Sequence, residues 1–227
     1  MLGTDIVTRV RLVANDNGTV LRAADADFAL FLTDGIQYIG AKRPDAICAS
    51  ATVTLAAGSR QSLSSFSPAG QRLLEVYRSN GSRAVRCVDR NELDSQNPSW
   101  HADTASATIY NYCYDDRDPT TFWVYPPATA GATLDLLYAK ALTALTAGTL
   151  NTTLALSDQF IDPLVNYVLS RYYDRDAEDD ANSVLSDKYR KRCDDFLEGK
   201  NRTDLEFSPD LNNPGGVVNK SASVGGI

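Results

Sequence analysis

Along residues 24–45, apolar positions recur at steps of three and four. Phe28, Leu32, Ile36 and Ile39 make one stripe, flanked by Phe31 and Gly35, against polar Thr33, Asp34, Gln37 and Lys42. That spacing predicts an amphipathic helix with one face meant for a core. Asp25 is placed to cap its start, and Asp27 adds a negative charge where the helix dipole favours one. Lys42 and Arg43 complement the other end, and Pro44 stops the helix by disfavouring helical geometry at Arg43. Gly35 and Gly40 each cost about 1 kcal/mol relative to alanine inside a helix. Packing must therefore hold this helix, and Gly35 is the position expected to meet a second helix closely.

Before it, residues 4–14 put Ile6, Val10 and Val13 on one face of a short first helix, and Asn15-Asp16-Asn17-Gly18 supplies a turn into the second. After Pro44 the period changes to two. Ala49, Ala51, Val53 and Leu55 alternate with Cys48, Ser50, Thr52 and Thr54, which predicts a half-buried strand over 47–55. A short strand over 60–63 follows, then a loop over 64–70. Residues 73–78 and 84–88 flank Asn80-Gly81, a pair suited to the positive φ angles of a tight hairpin. Residues 89–96 form a short helix with Asp89 as cap and Glu92 three residues on. Residues 108–114 and 121–125 are dense in β-formers, with Pro126-Pro127 expected to end the second of them, and 133–138 alternate again. The stretch 47–140 thus predicts an antiparallel sandwich or barrel of about six strands.

Residues 141–157, ALTALTAGTLNTTLALS, carry no clear period and are expected to be a connector with at most one short strand. Residues 158–173 return to helical spacing, with Phe160, Leu164, Val168 and Tyr172 at strict four-residue steps and Pro163 in the first turns, where its missing amide does least harm. A second helix is expected over 177–197 with the stripe Ala181, Val184, Leu185, Tyr189, Cys193 and Phe196, stopped by Gly199. The two helical ends should pack together. The expected fold class is α+β: a helical bundle in two halves, 1–46 and 155–199, with a β insertion over 47–154. From 200 to 227 the chain is rich in Asn, Ser, Gly and Pro and cannot form a core alone. Its scattered Leu205, Phe207, Leu211, Val217, Val218, Val224 and Ile227 are the candidate contacts of an extended arm, held by a partner or docked on its own domain.

Composition narrows the function. A formal net charge of −7 gives no general attraction to phosphates, so DNA passing this protein is not expected to bind it specifically. No apolar run of ~18 residues could span a membrane, and the first residues lack the regions of a signal peptide, so synthesis in a cytoplasm is expected. Cys48, Cys87, Cys113 and Cys193 are widely spread without CxxC spacing and are read as buried, reduced thiols, with no metal site.

Candidate chemistry is sparse. His101, the only histidine, follows Trp100 with no nucleophile motif nearby and is read as structural. Asp115, Asp116, Arg117 and Asp118 form a polar turn before Pro119 whose carboxylates repel unless solvated or ion-bound; its spacing is not that of a calcium loop, and it is a candidate outer-surface contact. Asp174, Asp176, Asp179 and Asp180 cluster at a helix start and are read as surface. Neither a phosphate loop nor the convergent carboxylates of a wall hydrolase are present, so no catalytic residue, cofactor or enzymatic activity is expected.

Four stretches in matching order, LFLTDGIQYIGAKRPDA, RAVRCVDRNELDSQNPSWH, YDDRDPTTFWVYPP and DPLVNYVLSRYYDRDAEDDANS, resemble the head-to-tail adaptor proteins of tailed phages, in particular those of podovirus type. The resemblance spans roughly residues 4–198 and is most specific in DRDPTTFWVYPP. It implies a helical bundle with a β insertion, assembled as a homo-oligomeric ring, commonly of twelve subunits, beneath the portal protein at the virion's head–tail junction. Such a ring continues the DNA channel, docks to the portal through helices and a C-terminal arm, and carries the tail nozzle protein and in some cases tail fibres. The alternative on the residues alone is a peripheral tail module whose aromatic hairpin 107–126 binds a fibre or a glycan.

Overall fold

The computed structural model describes residues 1–16, 18, 21–175 and 180–206. Helix α1 spans Gly3–Val13 and α2 spans Asp25–Lys42. The extended backbone needed at an N-cap falls on Ala24, not on Asp25. Asp27 Oδ2 accepts the Ala24 amide at 3.0 Å, and Asp25 instead takes Arg11 Nη2 at 2.8 Å. The cap expected at Asp25 is therefore supplied by Asp27 from within the first turn.

Helix α4 (Ile161–Asp174), entered through a 3-10 turn at Asp158–Phe160, is the hub of the helical part. Phe160, Leu164 and Val168 are fully buried and Tyr172 nearly so, as their four-residue spacing requires. They share a core with Ile6 and Val10 of α1 and with Phe28, Leu32 and Ile39 of α2. Cys193 and Leu197 of α5 (Asp180–Glu206) complete it. Each of these larger side chains contributes about 1.5–3 kcal/mol by burial. The Phe28 and Tyr172 rings stack at 6.0 Å between centroids.

The intervening strands are β1 (Cys48–Thr54), β2 (Gly58–Ser62), β3 (Gly70–Ser79), β4 (Arg83–Ala84), β5 (Arg86–Cys87), β6 (Asn111–Tyr114), β7 (Thr121–Ala128) and β8 (Thr133–Lys140). They form two four-stranded sheets, β1-β8-β3-β4 and β2-β7-β6-β5, so the architecture is a sandwich and not a closed barrel. Leu134, Leu136 and Tyr138 of β8 alternate into a second core against Phe122 and Val124 of β7.

Three strand-level expectations are corrected. The hairpin at Asn80-Gly81 forms, with Asn80 at φ 48° and Gly81 at φ 69°, but β3 and β4 pair over only two positions. At Val85 the chain crosses to the other sheet, where β5 runs parallel to β6. Parallel neighbours need a crossover, and here it contains α3 (Arg90–Gln96), whose Asp89 cap accepts the Asn91 amide at 2.8 Å. Pro126-Pro127 does not end β7. Both prolines sit where the β2–β7 register shifts, a position that needs no proline amide.

On α5, Val184 and Phe196, expected in the buried stripe, are 67% and 37% exposed, and the packed positions are Leu185, Tyr189, Cys193 and Leu197. Gly199 does not stop the helix, which continues to Glu206. One interior glycine costs about 1 kcal/mol and no proline follows before position 209, too little to end a long helix.

Candidate functional site

Two flanks of the helical body and one turn of the sandwich carry the features able to meet partners. On the first flank, α5 is held against α2 and α4 by a polar and aromatic clasp. Asp194 accepts Tyr38 Oη at 2.5 Å and Lys42 Nζ at 2.7 Å, and the Arg190 guanidinium lies over the rings of Tyr38 at 3.9 Å and Tyr167 at 4.7 Å. Burial pushes the Asp194 carboxyl up, but the bonds from Lys42 and Tyr38 and the nearby cations outweigh it and leave it below its ordinary value. Lys42 is raised, chiefly by its bond to Asp194. Further along, Tyr173 and Tyr189 stack at 5.8 Å and Ser186 Oγ donates to Ser170 O at 2.9 Å. Lys200 Nζ lies 5.7 Å from the centre of the Phe160 ring. From there the helix runs six residues further to Glu206, about 9 Å at 1.5 Å per residue.

On the second flank, residues 141–157 wrap the start of α1 and one side of α2. Thr4 N donates to Leu150 O at 2.8 Å, Leu154 N to Met1 O at 3.0 Å, and Leu145 N to Thr33 Oγ1 at 2.9 Å. No charged residue occurs in this belt. Leu150, Leu154 and Leu156 are buried, while most of its threonines and alanines are exposed. Between it and α2 lies a largely apolar groove of about 330 Å³, reached by Ile36, Leu142, Ala144 and Leu145, with Lys140 at its border.

The turn at 115–118 resolves its own repulsion. Arg117 Nη2 lies 2.7 Å from Asp115 Oδ2 and its amide donates to Asp115 Oδ1 at 3.0 Å, while Arg72 Nη2 reaches Asp116 at 3.0 Å. The bonds from Arg117 lower the Asp115 carboxyl to about 2. Asp118 accepts Thr120 Oγ1 at 3.2 Å. The turn borders an open groove shared with Arg90 and Asp94 at α3. In the adjacent aromatic segment, Tyr110 is 43% exposed but Arg83 lies over its ring at 4.5 Å, and Arg90 lies over Trp123 at 5.1 Å.

His101 stacks on Trp100 at 3.6 Å, and its Nδ1 is 2.8 Å from Ser59 Oγ. Among the described residues no carboxylate bonds its ring, so the pair lacks the orienting group of a catalytic triad and ties β2 to the loop after α3. The cysteine reading needs one correction: Cys113 and Cys193 are buried, with burial pushing both thiols up to about 11, and Cys48 is half-buried, but Cys87 is exposed. It lies on a two-residue strand at the sheet's end, too short to be covered. No group of three or more His, Cys, Asp or Glu among the described residues is arranged to hold a metal ion. No described helix is long and apolar enough to cross a membrane.

Of the candidate arm contacts, Leu205 falls within α5, and Phe207, Leu211, Val217, Val218, Val224 and Ile227 lie outside the described residues, as do Asp176 and Asp179. Sequence reasoning missed Asp194 and the belt. The belt's signal is its lack of charge over seventeen residues of a chain that is 22% charged.

Residues 1–212 match the family described as SU10 adaptor protein. The chain belongs to the SU10 adaptor family. This is a phage head-to-tail adaptor family, as the four quoted stretches lead one to expect. No curated protein matches the chain. An adaptor family implies contacts with portal and tail proteins, and among the described residues α5, the belt and the 115–118 turn are the candidate surfaces for them.

Proposed function

We propose that this adaptor is a non-enzymatic subunit of a ring, twelve copies in the form the resemblance implies, placed beneath the portal protein at the head–tail junction and continuing the DNA channel. The helical body and residues 207–227 dock to the portal, and the sandwich faces the tail nozzle protein, with the 115–118 turn on its outer surface and open to a tail fibre.

The observation that carries this reading is α5. It makes its Lys200 contact with Phe160 and then runs on to Glu206, where it hands over a segment of seven apolar residues in a polar background, counting Leu205. A segment of that composition gains stability by lying on another protein. Family membership supports the junction setting. The net charge of −7 supports passage of DNA without capture, because like charge repels the backbone. The fibre or glycan reading through 107–126 is less favoured, since arginines already occupy the faces of Tyr110 and Trp123.

The test is a chain ending at Glu206, not at Gly199, so that α5 stays whole. It should fold and keep its circular dichroism, yet lose co-purification with the portal. Retained portal binding would remove residues 207–227 from the interface.

A further inference from the structure

A ring built from identical subunits needs two different surfaces on each copy, one complementary to the other, on opposite flanks. Around α2, Tyr38 and Lys42 face α5 while Thr33 and Ile36 face the belt. These directions are about 170° apart at the 100° per residue of an α-helix. On α5, Asp194 points to α2, and Phe196, two residues on, is turned about 160° from it and faces away. The belt and the Phe196 strip of α5 are therefore the two outer flanks of the same helical body.

Their chemistry is complementary. Phe196 is 37% exposed, an apolar side chain that the subunit's own core does not use up, at the edge of the surface where Leu185 and Tyr189 pack on that core. Opposite it, the belt presents an exposed surface with no charge to strand, the depletion seen at the centre of protein interfaces. The groove of about 330 Å³ is ample for a phenyl ring, since a cavity of about 150 Å³ suffices for benzene. Lys140 at the groove's border and Asp195 beside Phe196 each have no ion-pair partner among the described residues, so one opposite charge stands ready on each flank.

We infer that the occupant of the groove is a second copy of this chain: Phe196 of one subunit enters the groove beside the belt of its neighbour, and Asp195 meets the neighbour's Lys140. The inference rests on the ring reading and names the surfaces that close it.

The test uses the full-length chain with exposed Cys87 replaced by serine, carrying Phe196→Cys, Ala144→Cys, or both. With a short bismaleimide, the double variant should give a covalent ladder, and a mixture of the two single variants should give covalent dimers only. Phe196→Asp should weaken self-association at least tenfold without changing the circular dichroism. Native mass spectrometry separates the two ways of failing. Rings whose subunits do not cross-link between positions 144 and 196, or that survive Phe196→Asp unchanged, would overturn this assignment and leave the ring. A chain that stays monomeric at every concentration and with portal present would overturn both.

Discussion

Leu164 Cδ1 stands 2.7 Å from where a β-carbon on Gly35 would lie, and Tyr167 Cδ1 stands 2.9 Å from it, so α2 and α4 meet with no room for a methyl group. Gly35→Ala gains about 1 kcal/mol of helix propensity but overpacks a buried contact at a cost of about 1–3 kcal/mol. The expected outcome is a net loss of about 1 kcal/mol, read as a lowered denaturant midpoint. A raised midpoint would mean that Leu164 and Tyr167 give way freely.

Asp194→Asn removes the charge that Lys42 and Tyr38 address. Because Lys42 and Asp194 are 40% and 31% exposed, solvent screening holds the expected loss near neutral pH to about 1 kcal/mol. The Asp194 carboxyl is lowered on folding, so its contribution is present above the unfolded value near 3.9 and is lost as pH falls through the lower folded value. Lys42 is raised, so its contribution holds below about 10.4 and fades as pH rises through the folded value. Stability curves of the two proteins should converge in acid. A constant gap down to pH 2 would show that the charge is irrelevant.

Arg117→Ala should return the Asp115 carboxyl upward from about 2 toward the ordinary carboxylate range, measurable by a carbon-detected NMR titration, with only a small change in global stability because solvent screens the pair on its open turn. An unmoved titration would mean that Arg117 does not hold Asp115 in solution.

Trp100 is fully buried and its Nε1 donates to Asp94 of α3 at 2.8 Å. Trp100→Phe keeps much of the apolar contact and removes this bond, which should cost about 1–3 kcal/mol. Faster amide exchange is expected in residues 90–96 and not in α4. Uniform acceleration over the whole chain would show that α3 has no stability of its own.

Much of the fold is legible in the sequence because single side chains there do one job. Leu164, Val168 and Tyr172 are buried on one face of α4 with Phe160 just ahead of it, and β8 alternates as a half-buried strand must. On α5 the same reasoning fails at Val184 and Phe196, since an apolar residue on a helix can face a core or the outside, and periodicity alone does not distinguish them. The belt is illegible as an element because its leucines drop one at a time into the helical core from irregular backbone. The β4–β5 sheet change turns on Val85 alone, a tertiary choice that local propensity does not encode. Asp194 is one of many surface carboxylates in sequence, and only its approach to Tyr38 and Lys42, more than 150 residues away, distinguishes it.

Native mass spectrometry of the purified chain, alone and with a portal ring, reads directly whether this adaptor assembles as a ring. The predicted result is a closed homo-oligomer, twelve copies of the 24.7 kDa chain, formed alone or on the portal. A chain that remains a monomer in both samples would contradict it.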